Sequence, residues 1–340
     1  MDAHIYEHSQ ELPLELGGTL PGFQLAYCTV GTLNATRSNV IWICHALTAN
    51  ADPAEWWPGM IGEGKLFDPT THFIVCANIL GSCYGSTGPL SVDPRTGQPF
   101  YHTFPRITVR DIVQAHIRLR DHLGIDTIEL CIGGSLGGQQ AVEWAIMEPE
   151  RIKTLILLAT NAFHSPWGVA FNESQRMAIE TDPTWQDSTP EAGLNGMKTA
   201  RSIALLSYRN YTTYWNGQME SNCDTFEKFR ASSYQRYQGE KLAKRFNAYS
   251  YYALSLTMDS HHVGRGRGSA EKALSQIQAN TLSIGISSDV LFPTNEQLFL
   301  FENIPTGTFL EIDSDYGHDG FLIETEQLTR CIQSWQKMHE

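Results

Sequence analysis

The sequence predicts an α/β protein: a mostly parallel β-sheet flanked by helices and interrupted by a helical insertion. Three observations carry that expectation. Short, nearly continuous apolar runs at residues 40–44, 73–77, 128–132 and 154–159 read as strands covered on both faces. Between two of them, residues 108–123 place Ile112, Val113, His116, Ile117, Leu119 and Leu123 on one broadly helical face. Finally, Ile132-Gly133-Gly134-Ser135-Leu136-Gly137-Gly138 joins a β-prone run to the helix-forming residues 139–145, the pattern of a serine carried through a sharp strand-to-helix turn.

In chain order, residues 12–16 and 23–30 read as an opening β pair around Gly17-Gly18. Apolar strands and amphipathic segments then alternate as far as residue 160, the rhythm of a parallel sheet wrapped by helices. From 161 to 269 the β rhythm stops, and aromatic, amide and charged residues dominate. That stretch is expected to be a helical insertion, a lid over a discontinuous core domain made of residues 1–160 and 270–340. The β pattern resumes at 281–286 and 308–312, and a last helix is expected over 320–337.

A chain of 340 residues with 41% hydrophobic content can bury a large core. Its net charge of −13 disfavours nucleic acid, whose binders gather basic patches to displace counterions. The first 18 residues include His4, Glu7, His8, Glu11 and Glu15 and lack the basic start and apolar core of a secretory signal. No run of 18 uncharged apolar residues predicts a membrane span. Seven cysteines lie scattered without C-x-x-C pairing. A cytoplasmic protein with reduced, mostly buried thiols is the expectation. Residues 59–65 match part of a phosphate-binding loop. Leu66, however, replaces the magnesium-binding hydroxyl and no strand precedes them, so they read as a surface loop.

A serine hydroxyl is a poor nucleophile near neutral pH and needs a base, normally histidine, oriented by a carboxylate. With an elbow at Ser135, the chain order is serine, acid, histidine. Asp289 follows the strand ending near 286, and His318 follows the last strand, where open α/β sheets place their sites. His45 also follows a strand, but it lies upstream of Ser135. His102 and His164 have no strand before them, and His116 and His122 fall in a helix. His261-His262 has no third ligand spaced nearby and reads as a solvated lid turn, so no metal is assigned. A tetrahedral intermediate needs two aimed donors, and the backbone N–H groups of Leu136, just after the nucleophile, and Leu47, just after the strand at 40–44, stand where an oxyanion hole requires them.

Together these segments resemble the homoserine O-acetyltransferase family of the α/β-hydrolase fold. The similarity runs nearly chain-wide, through residues 26–34, His45-Ala46-Leu47-Thr48, residues 80–89, the elbow, residues 237–241 and 245–251, residues 288–293 and Gly317-His318-Asp319. The resemblance implies acetyl transfer from acetyl-CoA, a co-substrate rather than a bound cofactor, to the side-chain hydroxyl of L-homoserine in methionine biosynthesis, in a homodimer formed through the lid. It gives Ser135, Asp289 and His318 the triad roles and assigns homoserine binding to Arg201 and Asp319, with Tyr208 at the family's spacing. Succinyl-CoA as donor, serine as acceptor, or simple ester hydrolysis stay open on the same scaffold. A non-catalytic hydrolase-like protein would be expected to lack a triad member, and all three are here. Leu136 and Gln139 stand where methionines are common, Glu63 where a proline is, and Asn247 where an aspartate is; residues 259–268 form a short stretch of the lid. Arg265 and Arg267, flanked by glycines, are expected to be solvated.

Overall fold

The computed structural model describes residues 1–339. Its main sheet holds β1 (Asp2–His8), β2 (Phe23–Val30), β3 (Val40–Cys44), β4 (Phe73–Ala77), β5 (Ile128–Gly134), β6 (Ile152–Leu158), β7 (Asn280–Ile286) and β8 (Gly307–Ile312), in the order β1-β2-β4-β3-β5-β6-β7-β8. The first two junctions are antiparallel and every later one is parallel. The central strands are apolar at nearly every position because both faces are covered. Trp42 points into one core with Ile112, Val113, Leu119, Val142 and Trp144. Its neighbours Ile41 and Ile43 point into the other, with Trp57, Phe67, Leu328, Ile332 and Trp335.

The helix expected at 108–123 is α1 (Val109–His122), and its start is written locally. Thr108 and Asp111 form a reciprocal capping box, with Thr108 N–H donating to Asp111 Oδ2 at 2.8 Å. The helix after the elbow is α2 (Leu136–Met147). Between β6 and β7 lie α3 (Pro166–Glu180), α4 (Leu194–Tyr208), α5 (Tyr211–Gln218), α6 (Arg230–Ala243) and α7 (Ala248–Asp259); α8 (Thr294–Asn303) and α9 (Thr325–His339) follow in the C-terminal part. Among the described residues no helix is long and apolar enough to cross a membrane.

The opening of the chain differs from expectation. β2 pairs along its length with β1, whereas Leu12–Pro13 pairs only with Thr19–Leu20, in a small hairpin turned by Gly17 and Gly18 at φ 90° and 77°. β1 carries no apolar run to read. It is an edge strand in which only Tyr6 is buried, and polar side chains suit an edge exposed to water.

Two further expectations are corrected. His261 is buried rather than solvated, its Nε2 3.2 Å from Asn161 O, and burial pushes its pKa down to about 3, so it is neutral. Arg265 and Arg267 are engaged rather than free. Arg267 makes paired contacts with Glu143 at 2.6 and 3.0 Å, Arg110 reaches Glu143 and Glu15 at 2.8 Å each, and Arg265 reaches Glu15 at 3.2 Å. The counter-charges are Glu15, which meets Arg265 and Arg110, and Glu143, a carboxylate on α2 that is 1% exposed and meets Arg267 and Arg110. The network ties the N-terminal hairpin, α1, α2 and the segment after α7 together. Glu143→Ala should strand the Arg267 guanidinium, leave Arg110 with Glu15 alone, and cost roughly 3 kcal/mol. Urea unfolding measures it, and a midpoint equal to wild type would show that the network contributes nothing.

Candidate active site

Ser135 sits between β5 and α2 with φ 57° and ψ −127°, a conformation costly for a residue with a Cβ. Its neighbours are glycines for steric reasons. A Cβ on Gly133 would lie 2.2 Å from the Gly137 carbonyl oxygen, one on Gly137 2.1 Å from the Cys44 carbonyl oxygen, and one on Gly138 2.5 Å from the Thr160 side chain. The backbone is pinned as well: Ser135 N–H donates to Leu158 O at 3.0 Å, and Thr160 Oγ1 donates to Ser135 O at 2.8 Å.

Asp289 and His318 lie beyond the ends of β7 and β8, whose last paired residues are Ile286 and Ile312. His318 Nδ1 donates to Asp289 Oδ2 at 2.7 Å, while Asp289 Oδ1 accepts from Leu291 N–H (2.8 Å) and Phe292 N–H (2.9 Å). The carboxylate is therefore fixed on both oxygens. The imidazole stacks on Phe292, with ring centroids 4.9 Å apart, and meets the edge of Phe321. Phe321 also abuts Gly134, where a Cβ would lie 2.6 Å from its ring, so one side chain touches both the base and the elbow. Among the described residues the Ser135 hydroxyl has no hydrogen-bond partner. The structure thus joins acid to base and brings both to the end of the sheet that carries the serine, without closing a Ser135–His318 hydrogen bond. Such contacts commonly tighten only around substrate.

Leu136 is the first residue of α2 and Leu47 lies in the loop after β3. Among the described residues neither backbone N–H has an acceptor. Gly137 lets α2 approach Cys44, and Gln140 Nε2 donates to both His45 O and Leu136 O at 3.1 Å, linking the two segments. His45, set aside by sequence reasoning as a base, braces this loop. Its Nδ1 donates to Ala46 O at 2.8 Å, and burial lowers its pKa to about 4, so it stays neutral.

Arg201 projects from α4 with its guanidinium 5.2 Å from the centre of the Tyr208 ring. Among the described residues it has no carboxylate partner. Asp319 is in an ion pair with Arg209 Nη1 at 2.9 Å. Burial raises the Asp319 pKa, opposed by the charges of Arg209, Arg201 and His318. Tyr208 stands 5.8 Å from the His318 ring, and burial raises its pKa too.

Sequence reasoning missed two groups here. Arg209 had no signal, because its pairing depends on a tertiary approach. Glu296 on α8 accepts from Asn161 Nδ2 at 2.8 Å, and Asn161 Oδ1 accepts in turn from Gln139 Nε2 at 2.9 Å. Burial pushes the Glu296 pKa up to about 7.

A family profile described as alpha/beta hydrolase fold matches residues 39–325. Homoserine O-acetyltransferase of Cyclobacterium marinum is 52% identical over 335 residues, covering 98% of this chain and 95% of that one. The chain belongs to the homoserine O-acetyltransferase family. The crystal structure of homoserine O-acetyltransferase from Bacillus anthracis superposes with a TM-score of 0.90 at 24% identity, over 97% of this chain and 96% of that one. Esterase E22 reaches 0.88 at 22% identity, over 98% and 99%, a likeness of fold. Within the homoserine O-acetyltransferase family, two of the departures noted in the sequence acquire local explanations. Asn247 caps α7 by accepting from Ser250 N–H at 2.8 Å, as an aspartate would, and Gln139 feeds the Asn161–Glu296 chain.

Burial alone would lower the pKa of His318. The charge and hydrogen bond of Asp289, with Asp319 and Glu296, raise it above the ordinary 6.5 instead. If His318 is the base proposed below it must act as neutral imidazole, so turnover should then fall as pH drops through that raised value. Glu296→Gln removes one supporting charge and should move the acid limb of kcat/KM to lower pH; a limb that stays in place, or moves up, contradicts this electrostatic assignment.

Proposed function

We propose that this member of the homoserine O-acetyltransferase family moves an acetyl group from acetyl-CoA to the side-chain hydroxyl of L-homoserine through an acyl-enzyme on Ser135, serving methionine biosynthesis. In the first half-reaction the Ser135 oxygen attacks the thioester carbonyl while His318 Nε2 takes its proton. The tetrahedral oxyanion draws on the Leu47 and Leu136 N–H groups, and its collapse expels CoA, protonated by His318. In the second half-reaction His318 deprotonates the homoserine hydroxyl, which attacks the acetyl-serine, and collapse returns the proton to Ser135. Asp289 holds the Nδ1–H tautomer throughout.

The observation that carries the reading is the presence together of an arginine without a carboxylate partner, Arg201, and a half-buried carboxylate, Asp319, beside the His318–Asp289 dyad. A guanidinium and a carboxylate so placed complement the two charges of an amino acid. Tyr208, under Arg201 and facing His318, forms the wall between acceptor and base. The reading divides the chain into a core of residues 1–160 and 270–340 and a lid of 161–269, which excludes water so that acyl transfer prevails over hydrolysis. Exposed apolar side chains on the lid, Leu206, Tyr211, Trp215, Phe226, Phe229 and Tyr237, support a homodimer formed through it. A cytoplasmic location fits its scattered, unpaired cysteines.

Intact-protein mass after mixing with acetyl-CoA should show one added acetyl group, absent in Ser135→Ala, whose turnover should drop by roughly 10³-fold or more. Arg201→Ala should raise the acceptor KM about 10- to 100-fold and leave acyl-enzyme formation intact. Steady-state assays pairing acetyl-CoA and succinyl-CoA with homoserine and serine test the substrates. Faster use of succinyl-CoA or of serine, or thiol release indifferent to any acceptor, would replace the proposed transfer by one of its relatives or by hydrolysis.

A further inference from the structure

We propose that Arg209 is a positioning residue for acceptor recognition, holding Asp319 ionised and aimed so that its free carboxylate oxygen receives the acceptor's α-ammonium. The inference rests on the reading above and adds to it a residue that the family resemblance left without a role. Arg209 Nη1 lies 2.9 Å from Asp319 Oδ2, and among the described residues Asp319 has no other ion-pair partner. The other carboxylate oxygen therefore remains available.

A half-buried carboxylate near neutral pH is a reliable receptor for a cation only if a neighbouring positive charge keeps its proton off. The charged groups facing Asp319 are Arg209 and Arg201 from the end of α4 and its preceding turns, and His318 and Asp289 from the loops after β8 and β7. Asp289 opposes ionisation, and His318 must be neutral to act as base. Arg201 is needed for the acceptor's carboxylate, and one guanidinium cannot serve both ends of the same amino acid. Arg209 is the remaining charge, and the structure commits it to Asp319.

Its location is fixed by backbone rather than by the reach of a long side chain. Gly317, at φ 60°, lets the histidine-bearing loop touch the end of α4; a Cβ there would lie 2.9 Å from Arg209 C and 3.0 Å from Tyr208 O. The same contact could make Arg209 merely structural, and the two roles separate by experiment.

In the full-length enzyme, Arg209→Gln and Arg209→Lys are compared for the burst of free thiol with acetyl-CoA alone and for transfer to L-homoserine and to its analogue bearing a hydroxyl in place of the α-ammonium. Arg209→Gln should raise the homoserine KM about 10-fold or more, leave the burst unchanged, erase the preference for the ammonium acceptor, and move the acid limb of kcat/KM upward as Asp319 takes up its proton more readily. Arg209→Lys should restore most of the loss. In an Asp319→Asn background the same substitution should add less than about twofold. A burst that falls together with acceptor use, without rescue by lysine, would reduce Arg209 to a pin between helix and loop. An unchanged homoserine KM would show that Asp319 needs no help, and a large further loss in the Asp319→Asn background would show that Arg209 acts elsewhere. Should Arg209→Gln not fold, Arg209→Lys in the wild-type and Asp319→Asn backgrounds decides: a homoserine KM rise with lysine should vanish once residue 319 is Asn, and one that persists overturns the proposal. No burst in wild type would instead overturn the acyl-enzyme reading itself, and this proposal with it.

Discussion

The bare α-carbon of Gly137, lying against the carbonyl of Cys44, is the contact on which the site depends. It lets α2 start directly over the end of β3, so the turn that bears Ser135 and the loop that bears Leu47 become neighbours. Any side chain at Gly137 would push the helix away and separate the Leu47 and Leu136 N–H groups to which the proposed mechanism assigns the oxyanion. The strain at Ser135 is tolerated because the surrounding backbone leaves no alternative: hydrogen bonds from Ser135 N–H and to Ser135 O pin the turn, and Gly133 and Gly138 remove the space in which it could relax.

Around this turn the site divides by type of environment. His318 is wrapped in aromatic rings, Phe292 and Phe321, which orient it without competing for its protons. Polar chemistry is confined to defined lines. Asp289 is used on both oxygens, His45 is neutral and spent on its loop, and Gln139, Asn161 and Glu296 pass hydrogen bonds in series away from the sheet. The exception is the end of α4, where two arginines stand in contrasting states. Arg209, just past the helix, is paired to Asp319, and Arg201, within it, lies over the ring of Tyr208 without an ion-pair partner among the described residues.

The parallel sheet and the elbow could be read from the sequence because both are local. A covered strand is a run of apolar residues, and a strained serine turn writes its sterics as adjacent glycines. Asp289 and His318 followed from topology, since each stands just past a strand. Arg201, Tyr208 and Asp319 came only from resemblance; nothing in their spacing reports that α4 meets the loop after β8. Arg209 was silent for that reason, as its partner is reached only through the approach at Gly317. β1 was missed because an edge strand has no need of an apolar pattern. Arg265 and Arg267 were misread as solvated because glycine-rich, charged sequence signals solvent unless carboxylates such as Glu15 and Glu143 lie opposite, and His261 because nothing local reports that its ring is buried against Asn161 O.

The sheet is also discontinuous in time. β6 and β7 are neighbours, Leu158 paired in register with Ile284, yet residues 159–279 separate them along the chain. During synthesis β6 therefore emerges with a bare hydrogen-bonding edge and waits, unpaired, until the whole helical segment has left the ribosome. An apolar strand with an open edge is what drives nascent chains to stick to one another. The arrangement that sets helices over the serine thus leaves one edge of the apolar sheet to be closed late in synthesis.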